Sequence, residues 1–137
     1  MSQENVEIIR RMYDAAARRD SGVVLAIYDP EDEVDMTRAS CRDLVGQRLY
    51  HGHDGLRTFY REWNGAWETV ESDVEELIDA GERVVSVETT RGRGRASGAA
   101  VELHQCGIWT LRAGRIVRVE WLDATREEAL EAAGLSE

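Results

Sequence analysis

The strongest constraint in this chain is a two-residue alternation running from Ala99 to Asp123, broken once at Arg112-Ala113-Gly114. Before the break one set holds Ala99, Val101, Leu103, Gln105, Gly107, Trp109 and Leu111. The other holds Ala100, Glu102, His104, Cys106, Ile108 and Thr110. After it, Val117, Val119, Trp121 and Asp123 alternate with Ile116, Arg118, Glu120 and Leu122. Successive strand side chains point to opposite faces, so the pattern predicts two long strands whose more apolar faces meet the core. Gln105 and Asp123 then point inward as well. Burying such groups without partners costs roughly 2–7 kcal/mol. Either they satisfy one another or a ligand pocket supplies partners. With a five-residue turn, Gly107 faces Trp121 and leaves room for its indole.

The preceding segments also read as strands. Glu71–Ile78 and Arg83–Arg91 flank the turn Ala80-Gly81, with Val85, Val87 and Thr89 alternating against Val84, Ser86 and Glu88. Upstream the period changes. Val6, Ile9, Tyr13 and Ala16 recur at helical spacing, which predicts a helix over 3–19 that Asp20-Ser21-Gly22 ends. Val23–Tyr28 reads as a second, short helix stopped by Pro30, the single proline. Glu33–Thr37 is a short strand and Arg38–Gln47 a loop. A third helix opens at His53 or Asp54, with Leu56, Phe59, Tyr60, Trp63 and Trp67 on one side. Thr125-Arg126-Glu127-Glu128 has capping-box form and opens a last helix that Gly134 ends. Three helices followed by a meander predict one α+β domain over residues 1–137. Its helices cover one face of a curved antiparallel sheet, and a short helix closes the chain.

Composition narrows the function. The chain has 137 residues, 27 acidic against 17 basic, and a net charge of −10, which opposes nucleic-acid binding. Arg91, Arg93 and Arg95, spaced by glycines, read as a solvated hairpin end. Cys41 and Cys106 form neither a disulfide framework nor a zinc spacing, and His51 and His53 lack a third ligand. No metal or cofactor is expected. No segment is apolar enough to span a bilayer, and a cytoplasmic protein is the expectation.

The stretches "IIRRMYDAAARRD", "VVLAIYDPEDEVDM", "YHGHDGLRTFYREW", "EELIDAGERVVSV", "HQCGIWTLRAGRIVRVEWLD" and "REEALEAAGL" resemble the SnoaL-like, ketosteroid-isomerase-related branch of the NTF2-like superfamily. The resemblance implies a half-cone with a cavity between helices and sheet. It leaves the reaction open among isomerases, cyclases, dehydratases, epoxide hydrolases and plain binding proteins. By the same resemblance Tyr13 stands where ketosteroid isomerases carry an oxyanion-hole tyrosine, and Tyr28 and Tyr60 stand near its supporting tyrosines. The general-base position falls on Met36, with Asp35 one residue away, and the second oxyanion donor falls at or near Gly107. Literal ketosteroid isomerisation is therefore not expected. SnoaL-type cyclases place an acid/base aspartate near the region of Asp123.

The resulting expectation is a protein that binds a small apolar or aromatic organic ligand, possible acid–base chemistry included and no cofactor required. Tyr28, Tyr60, Trp63, Gln105, Trp109 and Trp121 line the pocket. Asp123 or Asp35 moves a proton, and Tyr13 stabilises oxyanion charge. Asp123 also admits a helix-capping role, and Tyr13 a purely packing one. The alternative is a non-catalytic binding or association module. The outer sheet face, with Glu102, His104, Cys106, Ile108, Arg118 and Leu122, is the expected contact of a homodimer.

Overall fold

A computed structural model describes residues 2–135. Helices α1 (Ser2–Ala17), α2 (Ser21–Ile27) and α3 (Gly52–Gly65) lie in the first half, and α4 (Arg126–Ala132) follows the last strand. The strands are β1 (Tyr28–Arg38), β2 (Leu49–His51), β3 (Trp67–Ala80), β4 (Arg83–Gly94), β5 (Ala100–Arg112) and β6 (Arg115–Leu122). A 3-10 helix, Ser40–Leu44, occupies the segment expected to be a loop. The fold is the expected α+β half-cone.

The six strands form one sheet in the order β2-β1-β6-β5-β4-β3. The meander β3-β4-β5-β6 is antiparallel throughout, as its alternation predicts. The turn between β5 and β6 is tighter than expected. Arg112 pairs with Arg115, and Ala113 and Gly114 both have positive φ, 52° and 79°, the conformation of a two-residue hairpin turn. An irregularity between Thr110 and Leu111 restores the register, so Gly107 still faces Trp121. The same irregularity turns Ile116, expected outside, into the inner core.

Three expectations are corrected here. The sheet is mixed, because β1 runs parallel to β6. Alternation within a strand carries no information about which edge a distant strand joins. Pro30 ends α2 as expected, but the chain continues directly into β1, longer than the predicted Glu33–Thr37. Trp67 opens β3 and does not extend α3, which stops at Gly65.

The two sheet faces have separate cores. Ile9, Met12, Val34, Met36, Leu56, Val84, Trp109 and Val119 belong to the inner one, between sheet and helices. The outer one consists of Val85, Cys106, Ile108 and Leu122 under Ala129 and Leu130 of α4 and Ala133 at its end. Thr125 caps α4, its hydroxyl accepting from Glu128 N–H while the Glu128 side chain accepts from Thr125 N–H. The centre of the face expected to form a dimer contact is thus covered within the chain by its own last helix. Among the described residues, no helix is long and apolar enough to cross a membrane.

Candidate functional site

The half-cone encloses a cavity of about 570 Å³. Helical spacing places Met12, Tyr13 and Ala16 of α1 and Phe59, Tyr60 and Trp63 of α3 on one wall. Strand alternation supplies the other, with Met36 of β1, Glu88 of β4, Gln105 and Trp109 of β5, and Trp121 of β6. Cys41 of the 3-10 helix also contributes. Asp14, Arg19, Asn64, Glu71 and Asp73 lie at the more exposed edge.

The aromatic wall is built edge to face. Tyr13 and Trp109 ring centroids are 5.6 Å apart at 68°, and Trp109 and Trp121 are 5.4 Å apart at 82°. Tyr13 and Trp109 are held by one serine. Trp109 Nε1 donates to Ser86 Oγ at 2.8 Å, and the Tyr13 hydroxyl donates to the same oxygen at 3.0 Å. Gly107 is required for this arrangement. A Cβ there would lie 2.8 Å from Ser86 Oγ, 2.8 Å from Trp109 Nε1 and 3.0 Å from Trp121 Cζ3. Burial, reinforced by the charge of Glu88, holds the Tyr13 pKa well above the usual tyrosine range. At neutral pH Tyr13 is therefore a phenol able to donate, not a base.

The residue that sequence reasoning missed as a site is Glu88. It lies directly across from Gln105 and is only 6 % exposed. Its Oε2 has no hydrogen-bond partner. Burial pushes its carboxyl up to about 7, and the neighbouring Tyr13 hydroxyl pulls the other way. The signal was present in the chain: Glu88 shares a strand phase with Val84 and Ser86, so once that face is inner the glutamate must be inside. Gln105, 4 % exposed, donates from Nε2 to Cys41 Sγ at 2.9 Å instead of pairing with an aspartate. Burial raises the Cys41 thiol pKa, with this hydrogen bond opposing.

Six of the expected residues, Tyr13, Tyr60, Trp63, Gln105, Trp109 and Trp121, meet on the cavity wall. Tyr28 stands behind them, its hydroxyl 3.3 Å from that of Tyr60, whose own pKa burial pushes up to about 12. The two expected proton carriers are elsewhere. Strand β6 ends at Leu122, so the alternation no longer governs Asp123; it is exposed, and its Oδ1 accepts from Ser40 N–H at 2.9 Å. It does not cap the last helix, where Thr125 is the N-cap; its hydrogen bond goes instead to the first N–H of the 3-10 helix. Asp35 faces the outer side between the inward Val34 and Met36, and Arg118 Nη2 donates to it at 2.6 Å. Glu33 also pairs with Arg118.

A second buried carboxyl, Asp32, lies off the cavity wall. It is fully buried, and neither oxygen has a partner. Burial pushes its pKa up to about 6, with His53 as the chief opposing influence. The two histidines diverge: His53 Nε2 contacts the Tyr28 carbonyl oxygen at 2.9 Å, while His51 faces Glu31 at 3.4 Å. Among the described residues, no three His, Cys, Asp or Glu side chains are grouped to hold a metal ion.

An NTF2-like protein of unknown function from Burkholderia pseudomallei K96243 is 29 % identical, with a TM-score of 0.78 over 93 % of this chain and 95 % of that one. An NTF2-like protein from Burkholderia xenovorans LB400 is 25 % identical, with a TM-score of 0.74 and 97 % of both chains covered. TerC, co-crystallised with polyporic acid, shares the fold at 24 % identity, with a TM-score of 0.76 over 93 % of this chain and 98 % of that one. A search of curated proteins gives no match. The SnoaL-like domain matches residues 9–119, a span from the middle of α1 to the inward Val119 of β6 that takes in every cavity-wall residue named above except Trp121, and the chain belongs to that family.

Proposed function

We propose that this protein binds a small, largely apolar cyclic molecule in the half-cone cavity and performs cofactor-free acid–base chemistry on it. The observation that carries this reading is Glu88: a buried carboxyl with a free oxygen on the cavity wall, beside the Tyr13 hydroxyl. A carboxyl that titrates near neutrality is divided between acid and base at working pH, the condition under which a proton is both taken and returned efficiently. Glu88 replaces Asp123 and Asp35 in the proton-carrying role because neither of those lines the cavity.

The step that fits is proton transfer at a carbon next to a carbonyl. Glu88 carboxylate takes the proton, and the C–H electron pair moves into the carbonyl to give an enolate. The Tyr13 hydroxyl turns from Ser86 and donates to the enolate oxygen. Glu88 then returns its proton to the same carbon or to a conjugated one, so atoms balance without another reactant. Trp109 keeps Ser86 in place throughout. TerC, a protein of the same fold, was co-crystallised with polyporic acid, which accords with a small organic ligand.

The test is hydrogen–deuterium exchange. A panel of cyclic ketones and diketones is incubated with the protein in D2O, and loss of α-proton signal is followed by NMR, with binding followed by tryptophan fluorescence. We expect exchange that Glu88→Gln slows about 10²–10⁴-fold while binding persists. Binding without exchange by the wild type would leave a non-catalytic binding module. No binding by any panel member would remove the cavity reading altogether.

A further inference from the structure

A second concavity, of about 240 Å³, lies between α2, α3 and the end of α1. It shares Ala16, Arg19, Tyr60 and Asn64 with the main cavity, so the two spaces have a common wall. The floor is apolar, with Val24 and Leu56 both buried. Its rim is cationic. Arg19, Arg57 and Arg61 line it and no acidic residue does, in a chain with 27 acidic residues and no lysine. Among the described residues, Arg57 is held by Asp54 at 2.8 Å, whereas Arg19 and Arg61 form no ion pair.

The backbone at Arg19 adds a second observation. It follows the C-terminus of α1 with φ of 55°, a conformation for which glycine is the usual residue. Glycine would make the same turn without Cβ strain, so the turn alone does not call for arginine. What arginine adds there is a guanidinium on the wall common to both concavities.

We propose that this groove is a subsite for the anionic end of the ligand whose ring occupies the main cavity. The substrate class is then an elongated amphiphile, cyclic and uncharged at one end, with an apolar linker over Val24 and Leu56 and an oxyanion at the other. Arg19 and Arg61 supply planar forks that match a carboxylate or a phosphate. The inference rests on the reading of the main cavity as a ligand site, and its test separates the two.

The probes are naphthalene rings joined by three to seven methylene groups to a carboxylate, each compared with its methyl ester and with the corresponding phosphate monoester. Binding is read as quenching of the cavity tryptophans. We expect at least one carboxylate or phosphate to bind tenfold or more tightly than the ester of the same length, with a preference that weakens as salt rises. Whichever anion binds tighter identifies the terminus. Arg61→Gln and Arg19→Gly should each reduce the anion's affinity severalfold, and together bring it to that of the ester. Ester affinity should stay within twofold. Arg19→Gly suits the backbone conformation, so circular dichroism should be unchanged. Equal affinity for ester and anions in the wild type would overturn the subsite while leaving the main cavity intact, as would a preference that survives the double variant. No quenching by any probe would remove both.

Discussion

The two faces of the sheet handle polar groups in opposite ways. On the outer face the charges are matched. Arg118 lies between Glu33 and Asp35, Arg91 between Asp73 and Glu102, and Arg126 against Glu76. The apolar centre of that face is sealed by α4. On the inner face Glu88 lies on the wall of a cavity with one oxygen unpaired. A folded chain tolerates an unmatched buried carboxyl only at a cost, and function is a common reason for retaining one. The contrast teaches where chemistry can be placed: paired charges mark the stable face, whereas an unpartnered carboxyl on a cavity wall marks the working one.

The largest effect that tests this contrast is on the outer side. Ile108 packs beneath α4, so Ile108→Glu buries a charge without a partner and should cost about 3–5 kcal/mol, read by urea or thermal melting. A melt close to wild type would show that α4 does not seal this face, and would return Ile108 to the dimer contact expected from sequence. Light scattering on both proteins reports that alternative.

Next in size is the pH dependence of the inner face. The folded-state pKa of Glu88 is raised, so the native state binds the proton more tightly than the unfolded chain. Its contribution is fully present below the unfolded value near 4.5 and is lost as pH rises through about 7. The loss is at most about 3 kcal/mol. Glu88→Gln should flatten the stability profile in that window. Asp32 has the same sign in a lower window, between its ordinary value of 3.8 and about 6, and Asp32→Asn should flatten that part. A wild-type profile that rises across both windows would contradict the burial of these groups. If exchange is catalysed, its rate should increase with pH through about 7 as Glu88 becomes a base.

A smaller effect is expected at Gly107. An added methyl group collides with Ser86, Trp109 and Trp121 together, so Gly107→Ala should cost about 1–3 kcal/mol. It should also disturb binding, because those residues hold and line the cavity wall. The smallest effect belongs to Asp123. Asp123→Ala removes one exposed hydrogen bond to Ser40 N–H and should cost about 1 kcal/mol or less, with ligand affinity and exchange unchanged. A large loss of exchange in that variant would restore Asp123 to the proton-carrying role and displace Glu88.

Local periodicity was enough for much of the molecule. The inward set Gln105, Gly107, Trp109 and Trp121 follows from two-residue alternation, because each of these residues lies inside a continuous strand. Tyr13 and Trp63 follow from helical spacing in the same way. The capping box of α4 is legible because a cap is a contact between residues three apart. Asp123 and Asp35 failed for definite reasons. Asp123 lies one residue beyond the end of β6, where alternation stops applying, and Asp35 lies one residue out of phase with the inward Val34 and Met36.

What the chain's own pattern determined, then, is the main helices and the strands of the meander, and the face on which most side chains inside those strands stand. It determined that Glu88 shares a face with Val84 and Ser86, but not that this face borders empty space. Only the tertiary structure decided that β1 joins β6 in parallel, that α4 crosses to the outer face, and that Glu88 keeps an unpaired oxygen on the cavity wall. The physical reason is range. Periodicity reports interactions a few residues apart, whereas partnership in a core depends on which distant segments fill the space, and a site is the place where nothing fills it.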